Sequence, residues 1–210
     1  MKKGLESLIL SVLFFSALWG FSEAIFGGFL YGRAVPYSSA YLTIIGFGIL
    51  TIARLYLPQI GTATAIAALA MLYKFFNSPF YGCHLLGILL TGISYDLFFS
   101  VFKIKNKSIN AVAAVYLSYA SFAILITYVF RYGFWVQAGV PKILRHIGIS
   151  GSIAAVGCAV IVPLSFRFGK WLKAKYAVPF ELSLRLVPGS VSVLGTGLWI
   201  FGITAYLLSF

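Results

Sequence analysis

Apolar residues in this chain run in long stretches, with almost none of the two-residue alternation of a half-buried strand. Each stretch closes on Pro, Gly, Asn or a group of Lys and Arg, and most approach the length of about 20 residues that a helix needs to cross a bilayer core. The pattern predicts helix one over about Leu5–Tyr31, then a turn holding Gly32, Arg33 and Pro36. Helix two is predicted over about Ser38–Leu57, closed by Pro58 and Gly61, and helix three over about Thr62–Phe76. Asn77, Ser78, Pro79 and Gly82 mark a break, and helix four continues to about Phe102. A basic loop with Lys103, Lys105 and Lys107 leads to helix five, about Ile109–Tyr132. The segment Gly133–His146 is mixed and holds Pro141, which predicts a loop or an interfacial helix. Helix six is predicted over about Ile147–Phe166, a basic stretch over Arg167–Arg185, and helix seven over about Ser190–Phe210.

Composition agrees with this pattern. Of 210 residues, 61% are hydrophobic and only 10% charged, with a mean hydropathy of +0.99. A soluble domain carries about a quarter charged residues, so a soluble globule, a disordered chain and a disulfide-stapled domain are excluded. The expected fold is all-α: a polytopic membrane bundle of six to seven transmembrane helices. It forms one domain over residues 1–210, with a six-helix core over about 5–168 and an additional C-terminal helix over about 190–210. Lys2 and Lys3 precede the first apolar stretch as in a signal peptide. That stretch continues to about Tyr31 without a cleavage box, which predicts a membrane helix.

The net charge of +12 is topological in this setting, and no nucleic-acid partner is expected. With the N-terminus cytoplasmic, Lys2, Lys3, Arg54, Lys103, Lys105, Lys107, Arg167, Lys170, Lys173, Lys175 and Arg185 lie inside. Arg33, Arg131, Lys142 and Arg145 lie outside. The excess inside predicts a multi-pass protein of the cytoplasmic membrane with its N-terminus in the cytoplasm. The stretch Arg167–Arg185 reads as a solvated loop, or as a basic segment lying on anionic lipid at the cytoplasmic face.

Charges inside spans are costly and face protein or water. Glu23 lies about 9 Å outward of the middle of helix one, Lys74 and Asn77 about 5 to 10 Å outward in helix three, and His84 about 10 Å outward in helix four. These groups share a level, with Trp19 one turn from Glu23 on the same face and Tyr81 nearby. Two readings follow: a buried structural pair between Glu23 and Lys74, or an outward-opening ligand pocket with aromatic walls. Asp96 and Arg54 share a depth near the inner ends of helices four and two. They read as a structural ion pair, with a latch or proton site as the sharper alternative. Ser16, Gly20, Ala24 and Gly28 form a small-residue ridge, suited to packing within the bundle or to docking a separate membrane subunit.

Enzyme chemistry finds little support. Gly148-Ile149-Ser150-Gly151 is similar to the nucleophile motif of rhomboid intramembrane proteases, but no histidine follows His146 to act as base. A single Asp excludes aspartate-cluster transferases, and no phosphate-binding Gly-rich motif is present. Cys83 and Cys158 have neither zinc nor redox spacing. No enzyme activity, metal or cofactor is expected.

The chain from helix one through helix six, with Ala17-Leu18-Trp19-Gly20 followed by Glu23-Ala24 and Gly27-Gly28, resembles the substrate-binding S component of energy-coupling factor (vitamin) transporters. The ridge Ser16, Gly20, Ala24 is similar to the alanine-spaced motif by which S components meet the transmembrane T component. The seventh helix, and Ser and Gly in place of alanines, depart from the family's pattern. The resemblance implies capture of a vitamin-like small molecule from the outer face and partnership with a T component and ATPase subunits in other chains. It also implies that Glu23, Lys74, Asn77 and His84 hold polar groups while Trp19 and Tyr81 stack a ring. The rival readings are a structural or assembly subunit of a membrane complex, or a small secondary carrier using Asp96.

Overall fold

The computed structural model describes residues 2–76 and 82–175, together with the helical positions Gly197, Ile200 and Thr204. Apart from those three positions, the helix expected over about 190–210 lies outside the described residues, as do Asn77 and Tyr81. The described elements are all helical: α1 (Lys2–Gly32), α2 (Ser38–Tyr56), α3 (Thr62–Ala70), α4 (Gly82–Asp96), α5 (Lys107–Ile124), α6 (Gly133–Arg145) and α7 (Gly151–Lys175). A tight 3-10 turn, Met71–Phe76, extends α3. Wide π-helical turns extend α4 (Leu97–Phe102) and α5 (Leu125–Val129) and join α6 to α7 (His146–Ser150).

Among the described residues, five helical segments are long and apolar enough to cross a membrane: Leu8–Gly32, Ser38–Tyr56, Gly82–Phe102, Lys107–Val129 and Gly133–Lys175. Thr62–Phe75 is a shorter apolar helix. The chain is a multi-pass membrane protein, and its surface shows the solvent it was built for. On α7 the residues Val156, Val160, Leu164 and Phe168 recur every fourth position and are exposed, Val156 by 68% and Val160 by 58%. The opposite side buries Ala154, Ala155, Cys158, Ser165 and Gly169. Bulky apolar groups outside and small groups inside are the arrangement of a helix packed in lipid.

Six helices close into a ring in which each packs on the next, in the order α1–α2–α7–α5–α4–α3 and back to α1. Small residues set the close crossings. A Cβ on Gly92 of α4 would overlap Ala67 and approach the Ala63 carbonyl oxygen to 2.8 Å, so α3 and α4 meet nearly backbone to backbone. One end of the ring is filled by aromatics. Tyr95 is fully buried, stacks on Phe99 at 4.2 Å, meets Phe47 edge-on at 5.5 Å, and donates to Thr51 Oγ1 at 3.2 Å.

The segment expected as a loop or interfacial helix is the helix α6, which stands apart from the ring, against α5 and the turns on either side of it. Gly139 breaks its regularity with φ 59°, ψ −154°, a conformation open almost only to glycine. Helix six also continues past the expected end at Phe166 to Lys175. The basic residues there extend the helix because their long stems lie on apolar surface: Lys175 Nζ sits 4.9 Å over Trp171, and Lys173 Nζ reaches the Leu55 carbonyl at 3.2 Å.

Candidate functional site

The 3-10 turn after α3 rotates Lys74 toward α1. Its Nζ lies 2.9 Å from Glu23 Oε2 and donates to the Glu23 carbonyl oxygen at 3.0 Å. Glu23 is 4% exposed and Lys74 3%. Trp19, one turn earlier on α1, donates Nε1–H to Glu23 Oε1 at 3.3 Å. Both carboxylate oxygens therefore accept a bond, which is the condition for burying a charge at tolerable cost. Two glycines make the room. A Cβ on Gly27 would stand 2.8 Å from Lys74 Nζ, and one on Gly46 of α2 would stand 2.8 Å from the Trp19 indole.

This triad ends an inner cavity of about 90 Å³, lined by every helix of the ring or by a turn adjoining it. Neutral polar groups hold the walls: Thr91 and Ser118 hydroxyls lie 3.2 Å apart across α4 and α5, and Thr43 and Tyr119 hydroxyls 3.3 Å apart across α2 and α5. Two tyrosine–histidine stacks add flat surface. Tyr31 of α1 stacks on His84 of α4 at 4.8 Å, and Tyr119 of α5 stacks on His146 at 4.8 Å. Phe122 and Trp135 complete the surroundings of His146, at 5.3 and 5.1 Å.

Tyr31, Ser39, Cys83, His84, Phe122 and His146 also line a second, wider cavity of about 810 Å³. The α1–α2 loop and α6 contribute its remaining wall, including Tyr37, Trp135, Lys142 and Arg145. The arrangement is a small inner chamber that shares a wall with a vestibule of ligand-pocket size.

Trp19, Glu23, Lys74 and His84 thus come together from α1, the turn after α3, and α4. Sequence reasoning missed Tyr31, Thr91, Ser118, Tyr119, Phe122 and His146. His146 had a usable signal, as one of two histidines in the chain, at the same end of a span as His84.

The small-residue ridge of α1 follows the first of its two readings at two positions. Ser16 is fully buried and a Cβ on Gly20 would overlap the Tyr73 ring, so these positions pack inside the chain. Ala24 is half-buried.

Asp96 and Arg54 meet at the far end, but their ion pair is long, 3.7 Å. Asp96 Oδ2 instead accepts from the Thr64 backbone N–H at 2.7 Å and its hydroxyl at 2.8 Å, which caps the start of α3 from another helix. Arg54 donates to the Gln59 carbonyl at 2.7 Å. Among the described residues no three His, Cys, Asp or Glu side chains converge as a metal site. Comparison of the chain with protein-family models, curated proteins and solved structures finds no match.

Proposed function

We propose that this protein is the membrane-embedded substrate-binding subunit of an ATP-driven uptake transporter for a small, vitamin-like molecule, taken from the outer face of the cytoplasmic membrane. The observation that carries the reading is the chamber itself, which joins the Glu23–Lys74–Trp19 triad to an open vestibule. A buried ion pair needs no cavity beside it, whereas a ligand pocket is an apolar space with a few convergent polar groups. In this reading α1, α2, α3 with its turn, α4, α5 and α7 cross the membrane. α6 lies at the outer interface, the N-terminus is cytoplasmic, and the basic end of α7 rests on anionic lipid. The protein performs no chemistry and uses no cofactor. A T component and ATPase subunits in other chains supply the energy.

A structural subunit is the second reading, favoured by one observation: Glu23 and Lys74 are paired directly, with Trp19 on the other carboxylate oxygen. Mass spectrometry of the extracted, purified protein separates the two. The transporter reading expects one defined small molecule in the wild type, lost from Glu23→Gln and from the wall variant His84→Ala while both remain monodisperse. Wild-type protein free of any such compound, with Glu23→Gln unfolding by the about 3–5 kcal/mol of an orphaned buried charge, would overturn it.

A further inference from the structure

The mouth of the site has an unbalanced charge. Lys142 and Arg145, three residues apart near the end of α6, are the charged groups lining the vestibule. Neither has a carboxylate within ion-pair distance among the described residues. Glu23 is committed to Lys74 and Trp19 below, and Asp96 sits at the opposite end with Thr64 and Arg54. Lys142 is held by π faces instead, 4.6 Å over Phe134 and 5.6 Å over Trp135. Two cations at a concave opening raise the local concentration of anions and repel cations. Arg offers a planar fork that fits a carboxylate or phosphate with two parallel bonds.

Below the cations the walls are flat. Of the two tyrosine–histidine stacks, Tyr31, His84 and His146 line both the chamber and the vestibule, and Tyr119 lines the chamber. Ring surfaces in an apolar setting favour a ring in return.

We infer that the substrate is a planar aromatic anion, its ring held among the tyrosine–histidine stacks and its carboxylate or phosphate on Lys142 and Arg145. The inference rests on the uptake reading and narrows it to one charge and one shape. An anionic lipid headgroup shares the acid chemistry but not the ring.

The test is calorimetry on the purified full chain in phosphatidylcholine nanodiscs at low salt, with three probes of one ring: 2-naphthoate, 2-naphthamide and 2-naphthylmethylammonium. 2-Naphthoate is expected to bind about tenfold or more tighter than the amide, the margin of a charge-assisted hydrogen bond, and the ammonium not at all. The double variant K142Q/R145Q, on the exterior helix α6, is expected to bring 2-naphthoate down to the amide's affinity and to leave the amide unchanged. Equal or tighter binding of the amide or the ammonium would overturn the substrate class while leaving the uptake reading in place, as would 2-naphthoate affinity indifferent to K142Q/R145Q. Loss of 2-naphthoate binding when phosphatidylglycerol is added to the discs would assign the cations to lipid and overturn the inference. Failure of all three probes overturns it too, and joined with no co-purified compound it removes the uptake reading as well.

Discussion

Pro163 sits inside α7, where its missing N–H deprives the Ala159 carbonyl of its helical donor. Ser108, at the start of α5, supplies the replacement, with its hydroxyl 2.8 Å from that oxygen. In lipid such a group has no water to turn to. Ser108→Ala is expected to lower stability by about 1–3 kcal/mol, read as a drop in the thermal midpoint in detergent. Unchanged stability would mean the carbonyl finds another donor. Gly46→Ala acts on the site directly. Its new methyl displaces the Trp19 indole from Glu23, so a changed tryptophan emission spectrum and a loss of about 1–3 kcal/mol are expected. Residues of this kind differ in how far sequence reveals them. Glu23, Lys74 and His84 stand out because a charge or imidazole in an apolar run has to be explained. Tyr119, Phe122 and Ser118 carry no such mark, since the same residues line lipid or core elsewhere. Their inward aim depends on α5 lying between α4 and α7, an arrangement no local pattern encodes. Asp96 was visible as a buried acid, but its partner Thr64 was not, because a backbone N–H at a helix start leaves no trace in composition.

The helices themselves were legible where their apolar runs were long. α1 and α2, and α4 and α5 taken with the π-helical turns that extend them, begin and end within a few residues of the expected positions. The segment 133–146 is less plain, since Pro141 and mixed polarity fit a loop as well as an interfacial helix, and it forms α6. The segment is helical because Trp135 and Ile143 bury one side against α5 and its turns, while Phe134, Val136, Val140 and Leu144 remain exposed on the other. Gly139 lets this short helix bend over the vestibule. Gly139→Ala places a Cβ in a conformation costing about 1–3 kcal/mol. Ligand affinity is expected to fall with a smaller change in overall stability, since α6 packs outside the ring; equal losses in both would show that α6 is part of the core. Gly92→Ala is the converse case. It drives α3 and α4 apart at a point where backbone blocks the methyl, and a global loss of about 1–3 kcal/mol is expected in a thermal melt.

At the scale of the whole molecule, charge and aromatics are distributed unevenly along the bundle. One end is packed solid around Tyr95, Phe47 and Phe99 and carries Arg54, Asp96 and Lys173. The other is hollow, with the Glu23–Lys74 triad at its floor and Lys142 and Arg145 at its rim. The proposed uptake reading requires this asymmetry, because it has the chain load from one side. The central claim, an open cavity on the outer face, can be measured with the protein's own two cysteines. Cys83 is half-buried in the cavity wall, while Cys158 is fully buried between helices. Sealed right-side-out vesicles would be treated with the anionic, membrane-impermeant 2-sulfonatoethyl methanethiosulfonate, and the modified peptide identified by mass spectrometry. The account predicts modification at Cys83 from the outside, absent in Cys83→Ser. Modification of Cys83 only after the vesicles are opened, or none at all in the folded protein, would contradict it.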